Sequence, residues 1–118
     1  MGFRANAISK NAAEYLQPGE ELERVAIVRA NTGGTNYAIA ASPSTVYVFV
    51  LGGMGFSKVK ERLARVPIGK AVVQCRPGSI ISVGRRGQTT ADHFFSTLPG
   101  GSPKRLEAYV ADHGGNVG

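Results

Sequence analysis

The chain has 118 residues, 42% of them apolar, and carries a net charge of +6. That length supports one domain with a real core but not two, and no window reaches about 18 consecutive apolar residues, so a membrane-spanning helix is excluded. The charge is concentrated: residues 58–86 hold Lys58, Lys60, Arg62, Arg65, Lys70, Arg76, Arg85 and Arg86 against Glu61 alone, while the acids and bases of residues 1–57 balance.

Residues 1–8 show no pattern and read as a flexible N-terminus, ahead of one domain over 9–113 and a tail over 114–118. The N-terminus lacks the apolar region of a signal peptide. Ser9 to Leu16 reads as a short helix with Ser9 as its N-cap, stopped by Pro18-Gly19. Glu20 to Asn31 alternates apolar and charged residues and reads as a first strand. Thr32-Gly33-Gly34-Thr35-Asn36 is a turn rich in residues that tolerate positive φ.

Asn36 to Leu51 holds two apolar runs parted by Ser42-Pro43-Ser44, the signature of a hairpin. In its second run, Val46, Val48 and Val50 face one side and Tyr47, Phe49 and Leu51 the other. A strand buried on both faces follows, because so many β-branched residues lose rotamer freedom in a helix.

Gly52 to Phe56 reads as a flexible hairpin tip exposing Met54 and Phe56. It is not a dinucleotide loop, since Lys58 stands where the third glycine belongs. Ser57 to Val66 carries two patterns. Val59, Leu63 and Val66 at i, i+4, i+7 favour a helix, and the alternating Lys58, Lys60 and Arg62 favour a charged edge strand. Lys70–Arg76, Ser79–Val83 and Gln88–Ser96 read as three short strands. The last element is a helix opened by Ser102, with Pro103 at N1 and a stripe of Leu106, Tyr109 and Val110. About seven antiparallel strands closed by a C-terminal helix make a mainly β (α+β) domain, a curled sheet whose open end the helix plugs.

Three features resemble a bacterial pleckstrin-homology-like (PH-like) domain. They are Leu16-Gln17-Pro18-Gly19-Glu20 before the first strand, the hairpin Tyr37 to Val48, and His93-Phe94-Phe95 followed by a turn and the closing helix. The resemblance implies a seven-stranded antiparallel PH-like barrel with a short N-terminal helix and a C-terminal capping helix. It also implies a module that binds proteins, peptides or lipid headgroups. Headgroup binders of this fold cluster cations around the first hairpin, whereas Thr32–Asn36 contains none.

The expected function is therefore a non-enzymatic binding or adaptor module. It would dock a protein, or an anionic lipid or nucleic acid, through a basic face of Lys58, Lys60, Arg62, Arg65, Lys70, Arg76, Arg85 and Arg86, aided by the Met54/Phe56 tip. Self-association through the edge strand near 58–66 is a further expectation. The alternative is nucleic-acid binding by Gly84-Arg85-Arg86-Gly87, either as the clamp of a KH-like fold or by unspecific phosphate contact.

Catalytic residues, cofactors and metals are not expected. Asp92-His93 has no nucleophile at a telling distance, and no His or carboxylate pair shows ligand spacing. Cys75, the only cysteine, reads as a half-buried thiol in a reducing cytoplasm.

Overall fold

The fold was analysed in a computed structural model, which describes residues 3–52 and 58–117, and the side chains from residue 6 onward. Seven strands form one antiparallel sheet: β1 (Arg24–Ala30), β2 (Asn36–Ala41), β3 (Thr45–Gly52), β4 (Lys58–Pro67), β5 (Ala71–Arg76), β6 (Ile80–Arg85) and β7 (His93–Thr97). Their order across the sheet is β4-β3-β2-β1-β7-β6-β5. Helix α1 (Phe3–Asn11) precedes the strands and α2 (Ser102–Asp112) follows them. This is the mainly β, PH-like architecture with a short N-terminal and a capping C-terminal helix.

The alternation of β3 explains how the sheet is buried. Val46 and Val48 point into an inner cluster with Ile39, Val73, Ile81, Phe95 and the α2 residues Leu106, Tyr109 and Val110. Tyr47, Phe49 and Leu51 point the other way, into an outer cluster with Ile8 and Ala12. Each such aliphatic side chain contributes roughly 1.5–3 kcal/mol on burial. The inner cluster is therefore the main source of stability, and α1 adds a second layer over β1–β4.

Two seams differ in length. β1 pairs with β2 over six residues, Arg24↔Ala41 to Arg29↔Asn36. It pairs with β7 over only Val28↔Thr97, Arg29↔Ser96 and Ala30↔Phe95. Helix α2 packs on both β1 and β5 and so bridges the shorter seam from inside.

Several expectations need correction. The first helix runs Phe3–Asn11 rather than Ser9–Leu16, and a 3-10 turn at Ala13–Tyr15 follows it. Ser9 lies inside the helix rather than capping it, and its buried hydroxyl has no hydrogen-bond partner among the described residues. Ile8, fully buried in the outer cluster, ties the helix to the sheet. The segment 58–66 is a strand, and the three residues of the supposed helical stripe occupy three environments. Val59 is in the outer cluster, Val66 is in the inner one, and Leu63 is 42% exposed.

β7 starts at His93 rather than Gln88. Residues 86–92 form a loop tied by the Gln88 side chain, whose Oε1 accepts from Arg85 N–H (2.8 Å) and whose Nε2 donates to Asp92 Oδ1 (3.0 Å). At α2, Gly101 is the N-cap and Ser102 the first helical residue, so Pro103 stands one position later than expected.

Candidate binding surface

The cations from 58–86 fall into three groups. Lys58, Lys60, Arg62 and Arg65 run along β4, which is an edge strand and exposes all four. Its pairing with β3 jumps from Val48↔Ala64 to Phe49↔Arg62 and from Val50↔Glu61 to Leu51↔Val59, leaving Leu63 and Lys60 as bulged residues. Such bulges, with charges between them, obstruct edge-to-edge pairing. Arg62 and Arg65 stand opposite Phe49 and Tyr47, on the face that α1 covers.

The second group lies past the end of β4. Lys70 ends a 3-10 turn (Ile68–Lys70), and Arg86 N–H donates to its carbonyl (2.8 Å). The Arg86 guanidinium donates to Gly69 O (2.9 Å), and Arg85 is its chain neighbour. Arg76 is separate from both groups, at the far end of the β5–β6 hairpin opposite Ile80. Among the described residues the only ion pair within 4.0 Å is Lys104–Glu107, so none of these eight cations is neutralised by a carboxylate. Met54 and Phe56 lie outside the described residues.

Gly84-Arg85-Arg86-Gly87 ends β6 and opens the loop to β7, so it does not join two helices and the KH-like reading is withdrawn. Arg85 and Arg86 remain exposed there.

Among the described residues no helix lies over the outer face of β5–β7. Its register rows are Val72↔Gly84, Gln74↔Ser82↔Phe94 and Arg76↔Ile80↔Ser96. A groove of about 350 Å³ runs there, lined among others by Gln74, Arg76, Ser82, Arg85, Gln88 and Thr89. Arg76 is held by three contacts. Its Nε donates to Ser82 Oγ (2.8 Å), its Nη2 donates to Gln74 Oε1 (3.1 Å), and its Cζ lies 5.5 Å from the centre of the Phe94 ring. Gly84 forms the floor of the groove. A Cβ there would meet Ala91 Cα at 2.9 Å, so only glycine lets the 87–91 loop close onto β6.

Both free sheet edges are managed, each differently. On β5, Asn116 Oδ1 accepts from Val73 N–H (2.6 Å), Asn116 N–H donates to Ala71 O (2.8 Å) and Glu107 Oε2 accepts from Cys75 N–H (2.7 Å). These contacts seal the edge by supplying the partners that a further strand would supply. Gly115 permits this approach, since a Cβ would meet Ile68 O at 2.6 Å and press on Val110.

Two acidic residues, Glu20 and Glu23, are hydrogen-bonded to side chains of the frame. Glu20 accepts from the hydroxyls of Ser42 (2.5 Å), Tyr47 (2.5 Å) and Ser44 (3.3 Å) and from Gln17 N–H (3.0 Å). Burial alone would raise its pKa, but the donors from Ser42, Tyr47, Gln17 and Thr45 outweigh it and hold the carboxyl below its ordinary value. Tyr47 is pushed up to about 12, by burial first and then by its bond to Glu20. Tyr109 is also pushed up to about 12, by burial and by its bond to Glu23 (3.0 Å). Burial, then the Glu107 charge, raises Cys75, which makes it a poor nucleophile at neutral pH.

Sequence reasoning missed Ser82, Gln74 and Phe94 as partners of Arg76, and Glu20 as the clasp of the β2–β3 turn. The serine interrupting Ile80-Ile81-Ser82-Val83 was the available signal, since a polar residue inside an apolar strand needs a partner.

No protein-family model matches the chain, and no curated protein matches it. Among solved structures it is similar to the hSac2 domain from human phosphoinositide phosphatase Sac2, with a TM-score of 0.49 and 12% identity over 96% of this chain and 82% of that one. No residue role is carried over from it. Among the described residues no helix is long and apolar enough to cross a membrane.

Proposed function

We propose that this chain is a non-enzymatic binding module that docks an acidic protein segment along β4 and the turn beyond it. Lys58, Lys60, Arg62, Arg65, Lys70 and Arg86 supply the attraction. The observation that carries this reading is the absence, among the described residues, of a carboxylate within 4.0 Å of any of these cations. Cations left unpaired on one strip produce a field that steers an opposite charge and fixes its register.

A protein segment suits the strip better than a nucleic acid, because β4 carries no aromatic side chain on which a base could stack. The exposed Leu63 gives the segment one apolar anchor among the charges. A second copy adding to β4 would have to match both bulges, so the strip is assigned to a different partner.

The test is fluorescence anisotropy with a labelled peptide that alternates Glu and Leu, at low and high salt. Saturable binding that weakens with salt and disappears in Lys58→Glu/Lys60→Glu/Arg62→Glu/Arg65→Glu is expected. Equal affinity of that variant, or preference for a single-stranded oligonucleotide or for anionic vesicles, would overturn the assignment.

A further inference from the structure

We infer that the groove on the outer face of β5 and β6 is a second site, which takes the phosphate monoester group of a small soluble molecule, with Arg76 as its recognition group. The site does not depend on the acidic-segment reading, since it uses a different face and a different cation.

The main argument is the way Arg76 is held. Ser82 is 1% exposed, a hydroxyl embedded in the sheet, and its one described bond is to Arg76 Nε. Gln74 and Phe94 take the guanidinium from two more directions. Fixing an arginine forfeits the rotamer freedom of a long side chain, and an arginine kept only for solubility needs no such support. What the support leaves is a planar cation with unused N–H groups and no carboxylate within 4.0 Å among the described residues. A phosphate monoester presents several oxygens in the geometry that such a fork bonds bidentately.

The rest of the groove completes the site. Arg85 and Thr89 line the same space. The Gln88 amide is fixed at both ends by Arg85 N–H and Asp92, so the wall is already in place before a ligand arrives. Val72, Gly84 and Ala91 give a small apolar floor that suits the body of a compact molecule. About 350 Å³ is the size of a small-molecule site. Among the described residues the only large exposed hydrophobic one beside it is Phe94, 38% exposed and overlaid by Arg76, so these residues form no apolar collar of the kind with which a lipid-binding surface enters a bilayer.

The experiment is an amide chemical-shift titration of the whole chain with phenyl phosphate at constant ionic strength. Benzoate serves as the singly charged control and vesicles containing phosphatidic acid as the lipid arm. Saturable shifts at Gln74, Arg76, Ser82, Gln88 and Thr89 are expected, with weaker binding of benzoate and no vesicle binding. Arg76→Lys keeps the charge and loses the fork, and should weaken binding about tenfold. Ser82→Ala leaves the arginine unsupported and should weaken binding by a smaller factor. The fourfold β4 variant should bind phenyl phosphate like the parent chain. Shifts centred on β4, shifts that do not saturate, or binding to vesicles alone would each overturn the inference. If Arg76→Lys does not fold, Ser82→Ala and the shift map decide.

Discussion

The half of the sheet built from β1 to β4 is covered on both faces, by α2 inside and α1 outside. The half built from β5 to β7 is covered on its inner face and bears a polar groove on the other. Strand composition follows this division. β3 is apolar at nearly every position because neither face meets water, whereas β5 and β6 interleave Gln74, Arg76 and Ser82 with Val73, Ile81 and Val83. Both proposed binding surfaces fall where the helices leave the sheet uncovered, on the open half and on the outer edge of the covered one.

The contrast can be broken most severely from inside. Leu106→Ala removes an α2 side chain shared by both halves and should cost about 3 kcal/mol in chemical denaturation. Ile8→Ala touches the outer layer alone. It should cost less and increase amide exchange in β1–β4 while leaving β5–β7 protected. Equal exchange in both halves would show that the outer layer is not confined to one of them.

Next in size is the β5 edge. Gly115→Ala forces a Cβ against Ile68 O and should cost roughly 1–3 kcal/mol. It should also raise the tendency to aggregate, read by light scattering, because Val73 N–H and Ala71 O lose Asn116.

The pH dependence sharpens the comparison further. With Tyr47 and Tyr109 both pushed up to about 12, their contribution is fully present below the ordinary phenol value of 10.0 and is lost as pH rises from there toward 12. Tyr47→Phe and Tyr109→Phe should each flatten part of that alkaline loss in thermal melts. Glu20 works in the opposite sense. Its lowered pKa gives stability that is present above its ordinary value of 4.5 and fades as pH falls through the folded value. Glu20→Gln should flatten the acid limb.

The smallest expected effect on stability is that of the fourfold β4 charge variant, within about 0.5 kcal/mol of the parent chain, although its loss of binding should be the largest.

Much of this was legible from residue order. The hairpin of β2 and β3 and the α2 stripe of Leu106, Tyr109 and Val110 announce themselves by period, because each faces one continuous apolar surface. β4 was ambiguous for a physical reason. Two bulges shift the phase of its alternation, so Val59, Leu63 and Val66 imitate a helical spacing that no helix uses. α1 has no apolar stripe to advertise it, because among its described side chains only Ile8 is buried. Gln88-Thr89-Thr90 has strand propensity, yet it folds back over Gly84 because the missing Cβ leaves room. The cations of the site were visible individually. Their grouping was not, since the support of Arg76 by Ser82 depends on a cross-strand register that composition does not encode.

The three-residue seam between β1 and β7 has a mechanical consequence. Under tension applied across the two halves, that ladder is the line of first rupture, with half the paired positions of its β1–β2 neighbour. Helix α2, seated on β1 and β5, acts as the rivet that a pulling force must shear before the sheet parts.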